Sequence, residues 1–285
     1  MARLCDRVVC GMESQYRLLV RRILEEGDKR ETRNGRVLSV FGASLECDLR
    51  DGFPLLTSKK VFFRGIVEEL AWFLRGSTDV SELRARRVHI WDLNTEGRGF
   101  DAGPIYGFQW RHFGAAYAGK DADYAGMGVD QIASVIASLR STPHSRRMVL
   151  CAWCPSQQSS MCLPPCHVMY QFYVESDRRV SVQMTQRSSD VFLGLPFNIA
   201  STALLLQLIA HEVDLEPGRV IIRLGDAHVY EEHVEACLEQ LRSPCADLPR
   251  VTVDRAKDCL WDVRASEVTL HGYAPGPSIR ARMRA

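Results

Sequence analysis

Residues 198–213, "NIASTALLLQLIAHEV", would carry apolar side chains on nearly every side of a helix. A helix without a wet face lies in the middle of a sizeable domain, so the rest of the chain has to supply layers around it. The longest apolar run within it, Ile199 to Ala210, holds Ser201, Thr202 and Gln207 and falls well short of the roughly 20 residues a membrane span needs. Burial in protein is the reading, and no membrane partner is expected.

Other segments fit around that centre. A first helix is expected from Ser14 as N-cap to Glu26, with Leu18, Leu19 and Ile23 as its inner stripe and Gly27 as its stop. A second lies in "FRGIVEELAWFLRG", where Ile66, Leu70, Phe73 and Leu74 follow helical spacing and Gly76 ends it. "QIASVIASLR" and "VEACLEQLRSP" read as further helices, the latter with Val234, Cys237, Leu238 and Leu241 on one side. "RRMVLCAW" reads as a buried strand, and "RVSVQMTQ" alternates so that Val180, Val182 and Met184 share a face. Helices and strands mix without strict alternation, and there is no Gly-rich phosphate loop, which points to an α+β fold. The 285 residues show no repeat and no linker-like shift in composition. One domain over residues 14–285 is expected, preceded by a flexible segment 1–13.

Thirty-six basic against thirty-five acidic residues give no global field to attract nucleic acid, so an RNA-binding role has no support. The ten cysteines follow an amino terminus, "MARLCDRVVCGMESQ", that lacks the apolar stretch of a signal peptide. Reduced thiols in a cytoplasmic protein are expected, a nuclear pool being equally compatible.

Four cysteines and a histidine crowd into "CAWCPSQQSSMCLPPCH", residues 151–167. A zinc knuckle would need Cys151 and Cys154 to converge, yet Cys151 ends a β-like run, and residues three apart on a strand point to opposite faces. The prolines between Cys162 and Cys166 remove amide donors that a thiolate cluster wants. Cys151 and Cys162 read as core cysteines. Cys166 differs: it follows a stiff Pro-Pro pair and opens the apolar strand "HVMYQFYV", a placement that suits a nucleophile. A thiolate needs nearby positive charge, and Arg146, Arg147 and Arg187 of "QRSSD" offer it; guanidinium clusters also suit a phosphate. Glu69 stands three residues after Ile66 and four before Phe73, with the apolar face of its helix, while Arg64, Glu68 and Arg75 take the polar side. A carboxylate in that position is more often structural, with a hidden partner, than catalytic, but its raised pKa would suit proton transfer.

The ordered segments "LRDGFPLLTSKK", "EELAWFLRGST", "IWDLN", "GPIYGFQWRHFG", "SRRMVLCAW", "LPPCH", "QFYV", "QRSSDVFLGLPFNIAS" and "LGDAHVY" resemble the thymidylate synthase family from about Ser14 onward. The resemblance implies an α+β fold with a large mixed sheet packed against helices, and a homodimer formed through that sheet. It implies a methyltransferase that makes thymidylate from deoxyuridylate with 5,10-methylenetetrahydrofolate as co-substrate and no metal. Cys166 stands at the nucleophile's position, with His167 beside it as an orienting neighbour. Arg50, Arg146, Arg147, Arg187 and Ser188 match the nucleotide-phosphate residues, the 146–147 pair reaching across from the other subunit, with Gln186 and Ser189 alongside. Asn198 matches the residue that pairs with uracil O4 and N3–H, and His228 and Tyr230 match the contacts to the 3′-hydroxyl. Glu69, Asn94 and Tyr106 match a proton-moving water network. Ile90, Trp91, Asn94, Asp190, Leu193, Gly194, Phe197 and the carboxyl-terminal Ala285 would line the folate, with Asp190 bonding the pterin and Lys59 and Lys60 meeting the glutamate tail.

The chain departs from the family in having Cys154 where asparagine is usual and Gly276 where histidine is frequent. Its end, "RMRA", also replaces a small apolar tail that is expected to close over the ligands. A deoxycytidylate hydroxymethylase would resemble this chain but typically carries aspartate at the base-reading position, so Asn198 favours uracil.

Overall fold

The computed structural model describes residues 11–256 and 260–284. The elements are helices α1 (Met12–Glu26), α2 (Phe63–Leu74), α3 (Ser81–Ala85), α4 (Tyr106–His112), α5 (Gln131–Ser141), α6 (Gly194–Glu212) and α7 (Val234–Arg242). The strands are β1 (Asp28–Thr32), β2 (Gly35–Asp48), β3 (Val149–Cys151), β4 (His167–Val174), β5 (Arg179–Asp190), β6 (Glu216–Tyr230), β7 (Arg250–Val253) and β8 (Val268–His271).

Six strands form one sheet in the order β1-β2-β6-β5-β4-β3, and β7 pairs with β8. Only β5 and β6 run parallel. A parallel neighbour demands a crossover, and α6 is that crossover. It packs against β5 and β6 on one side and α2 on the other, which is why its sequence is apolar all round. Under it, Leu45, Ile222, Met184, Tyr170 and Leu150 pair from strand to strand across the sheet. None of the five is more than 3% exposed. The mixed α+β architecture is as expected.

The opposite face carries the neighbouring row Ser44, Arg223, Thr185, Met169 and Cys151, all exposed or half-buried. Phe41 and Tyr173, 86% and 64% exposed, add large apolar surface on the sheet.

Several details differ from the sequence reading. The first helix starts at Met12 with Gly11, not Ser14, as N-cap. Glu13 is buried and accepts from Thr57 N, Thr57 Oγ1 and Ser58 N, so residues 11–13 belong to the fold, and only 1–10 of the expected flexible segment lie outside the described residues. Leu18 faces outward at 54% exposure; the inner stripe is Met12, Tyr16, Leu19, Val20 and Ile23. The strand expected over 146–153 shortens to Val149–Cys151. Glu68 is buried rather than on a polar face, where it pairs with Arg86 at 3.3 Å.

Candidate active site

Cys166 precedes β4 at the end of the sheet where β5 finishes. Pro164 and Pro165 cannot donate, but their carbonyls accept from Arg187 Nη2 and Nε, each at 2.8 Å. The Arg187 amide donates to Cys166 O at 2.9 Å, and its guanidinium lies 5.4 Å from the Trp153 ring. Held this way, Arg187 Nη2 stands 4.0 Å from Cys166 Sγ. Burial pushes the thiol pKa up and the Arg187 charge pulls it back, with a net rise. The resting side chain is thus a thiol at neutral pH.

Tyr106 opens α4 and ties Cys166 down from the other side: Cys166 N donates to its hydroxyl at 2.7 Å. The His167 ring stacks on Tyr106 at 4.1 Å between centroids, and its Nδ1 lies 3.0 Å from the Tyr170 hydroxyl. Burial drives His167 down to about 3. A neutral imidazole held by two tyrosines is a poor base and a good spacer.

On α2, Glu69 receives Trp91 Nε1–H at 2.7 Å. Burial raises its carboxyl to about 7, the Trp91 hydrogen bond working against the rise. Trp91 continues the aromatic layer, 6.0 Å from Tyr106. Ile90 precedes it, and Asn94 sits in the 3₁₀ turn Leu93–Thr95.

The ends of β5 and β6 complete the floor. Asp190 pairs in register with His228, Ser188 with Asp226, and Gln186 with Leu224 on one side and His167 on the other. Gln186 Nε2 donates to the Ser188 carbonyl and to Asn198 Oδ1, both at 3.0 Å. The backbone carbonyl fixes which way the Gln186 amide faces, and Gln186 in turn fixes Asn198. Gln186 Oε1 and Ser189 Oγ are buried with no hydrogen-bond partner among the described residues. Asp190 Oδ1 accepts from Phe192 N and Leu193 N at 3.0 Å each, shaping the turn into α6. Gly194, Phe197 and Asn198 follow on its first turns. His228 Nδ1 lies 3.1 Å from Asp226 Oδ1, which also accepts from Ser39 Oγ at 2.8 Å. Since a carboxylate only accepts, Nδ1 carries the proton and Nε2 is left as the group to meet a ligand. Tyr230 stands two residues on, its ring 5.4 Å from that of His228.

Other expected residues stand apart. Arg50 follows the far end of β2, where its guanidinium forks onto Asp48 at 3.0 and 2.6 Å. Asp48 pairs with Arg219, nine residues along β6 from His228, or about 30 Å at ~3.3 Å per residue. Arg50 therefore does not join Cys166 and Arg187, because the long strands carry "DLRDG" away from the site. Arg146 and Arg147 are exposed before β3, and their guanidinium groups have no partner among the described residues. Lys59 is buried and Lys60 exposed, so Lys59 is not free to meet a solvent-borne glutamate tail. Ala285 lies outside the described residues. Among these residues no three His, Cys, Asp or Glu side chains gather as metal ligands; Cys151 Sγ contacts Trp153 O and Cys154 Sγ contacts Ser156 Oγ. The sequence reading missed Asp226, Ser39, Tyr170 and Trp153. Asp226 was the most readable of these, two residues before His228 and so on the same side of a strand.

The family model described as thymidylate synthase matches residues 14–285. The chain is 47% identical over 283 residues to the thymidylate synthase of Human herpesvirus 8 type P (isolate GK18), covering 95% of this chain and 84% of that protein. It is 48% identical over 288 residues to that of Equine herpesvirus 2 (strain 86/87), covering 97% and 99%. With the Homo sapiens thymidylate synthase it shares 44% over 283 residues, covering 95% and 90%.

Proposed function

The chain belongs to the thymidylate synthase family, and we propose from that premise that it converts deoxyuridylate to thymidylate through a covalent bond from Cys166 Sγ to uracil C6. The observation that carries the assignment of Cys166 is its clamp: Arg187 on one side and Tyr106 on the other hold Sγ at the floor shared by β4, β5 and α6.

Uracil C5 is a weak nucleophile until a thiolate adds at C6 and makes the ring an enolate. Cys166 gives up its proton to solvent as its sulfur bonds C6, and Arg187 stabilises the developing thiolate. Asn198 then keeps its amide NH2 and one acceptor lone pair for a ligand, a match for uracil O4 and N3–H. Its orientation is set through Gln186 by the Ser188 carbonyl. His228 Nε2 and the Tyr230 hydroxyl take the 3′-hydroxyl. Glu69, poised near 7, can give and take a proton around O4 and C5 through water with Asn94 and Tyr106.

Methylenetetrahydrofolate, when bound, supplies the one-carbon unit and the hydride and leaves as dihydrofolate. The residues suit such a group: Ile90, Leu193 and Phe197 leave half-buried apolar surface near Trp91 and Gly194, and the Asp190 carboxylate is an acceptor for a pterin N–H. Residues 14–285 work as one catalytic domain. The free thiols of all seven described cysteines fit a reducing compartment such as the cytoplasm.

Two copies associate through the open sheet face, and Arg146 and Arg147 reach the neighbour's phosphate site. The uncovered row with Phe41 and Tyr173 supports the interface. The two unpaired guanidinium groups at its edge support the reach.

Intact mass after incubation with 5-fluorodeoxyuridylate and methylenetetrahydrofolate tests the reading. Fluorine at C5 does not leave as a proton does, so the protein should gain the mass of both ligands and Cys166→Ala should gain neither. An adduct that survives in Cys166→Ala refutes the nucleophile.

A further inference from the structure

Lys59 is a cation almost without water, only 5% exposed. It lies between β2 and α2, and no carboxylate among the described residues pairs with it within salt-bridge distance. Burying an ammonium without a counter-ion is costly, and an apolar side chain would fill the space more cheaply. Among the described residues, the hydrogen bond and the ring contact of its Nζ both fall on Phe192. The Nζ donates to the carbonyl of Phe192 and sits 3.5 Å from the centroid of the Phe192 ring, a cation–π contact in a desolvated place.

Phe192 is the middle of the turn that joins β5 to α6. Asp190 Oδ1 holds that turn by the Phe192 and Leu193 amides, while Lys59 holds it by the Phe192 carbonyl and ring. Between them they set the Asp190 carboxylate and the entry into α6, which begins at Gly194.

We propose that Lys59 is a positioning residue for the folate: it pins Phe192, fixes the Asp190 carboxylate where the pterin ring meets it, and touches no ligand itself. This rests on the reading of Asp190 given above. The surroundings agree with a charged lysine in use. Burial lowers its pKa to about 8, and Cys237 of α7 and Asp190 both favour the charged form. Other titratable groups nearby are Tyr16 of α1, which feels Cys237, Asp190 and Glu13, Glu13 itself, which accepts from Ser58 N, Tyr273, whose hydroxyl donates to the Lys59 carbonyl, and His233, whose ring is 5.6 Å from that of Phe192. Lys59 is therefore charged at neutral pH and loses its proton as pH rises past about 8.

Calorimetric binding of dihydrofolate to the protein saturated with deoxyuridylate is the test, made on the parent, Lys59→Met, Asp190→Asn and the double variant. Lys59→Met should weaken dihydrofolate about tenfold and leave deoxyuridylate within about twofold, and the double variant should be no weaker than Asp190→Asn beyond about twofold. In the parent, dihydrofolate affinity should fall above pH ~8, and in Lys59→Met it should not. Parent-like affinity in Lys59→Met, equal weakening of both ligands, or full additivity with Asp190→Asn overturns the proposal. If Asp190→Asn alone binds dihydrofolate like the parent, the Asp190 reading fails and the proposal falls with it. Should Lys59→Met not fold, the parent's pH titration decides, and an affinity that stays flat from pH ~7 to ~9.5 overturns it.

Discussion

At Cys166 the chain meets itself four times: two proline carbonyls and the cysteine's own carbonyl bind Arg187, while its amide binds Tyr106. That grip positions the sulfur, while the proton transfer proposed above rests on Glu69. Its carboxyl is raised from 4.5 to about 7. Below pH 4.5 it is neutral whether the chain is folded or not, and the folded state bears no penalty. As pH rises through 7, the buried group ionises and stability worth up to about 3 kcal/mol is lost. Glu69→Gln keeps an acceptor for Trp91 but cannot ionise. Its denaturant midpoint should exceed the parent's at pH ~8 and converge on it near pH ~4.5, while its kcat falls about 10²-fold or more. Equal kcat at pH ~7 would remove Glu69 from the reaction.

Among the elements, the last described segment behaves as a strap. Gly276 N donates to Thr57 O and Lys60 N to Pro277 O. Arg282 O lies 2.9 Å from His233 Nε2, and Arg284 forks onto Glu232 at 2.7 and 2.5 Å. The arginines that replace a small apolar tail thus have a partner just past Tyr230. A cavity of about 220 Å³ separates them from the β1–β2 hairpin. The fork is partly exposed, so salt should weaken it. Arg284→Ala should speed hydrogen exchange over residues 279–284, and high salt should do the same to the parent; unchanged exchange at low salt would mean the fork holds nothing.

α6, the stripe of α2 and the alternation of β5 were legible because each periodicity is local. Glu69 and Cys166 stood out for the same reason, each a polar group set against an apolar pattern. The N-cap error at Ser14 arose because Glu13 is satisfied by Thr57 and Ser58, far along the chain. The long strand β6 was hidden by Gly218 and Gly225, where a Cβ would come within 2.5 Å of Ser181 Oγ and 2.8 Å of Arg187 O; close strand approach removed the side chains that would have shown the alternation. The misplacement of Arg50 has another cause, for nothing in "LRDGF" tells which end of the sheet it reaches. Lys59 was set beside Lys60 at the glutamate tail because Phe192, which holds it inside, is remote in sequence.

For the whole molecule, the proposed exchange of Arg146 and Arg147 has a sharp consequence. Cys166→Ala and Arg147→Ala homodimers should each be inactive or nearly so. Mixed and reassociated, they should recover activity, since one of the two sites in each mixed dimer then has both residues. Activity that stays at the level of the separate variants would show that Arg147 serves its own chain. The docking of residues 276 and 277 onto residues 57 and 60 matters before any dimer exists. On a ribosome residues 57 and 60 emerge early, yet the surface that residues 276 and 277 cover stays bare until those two have been made. Folding domain by domain from the amino terminus is thus closed to this protein. Its nascent chain has to be kept from aggregating over that interval, and loss of residues 276 and 277 would be felt at residues among the first to be made.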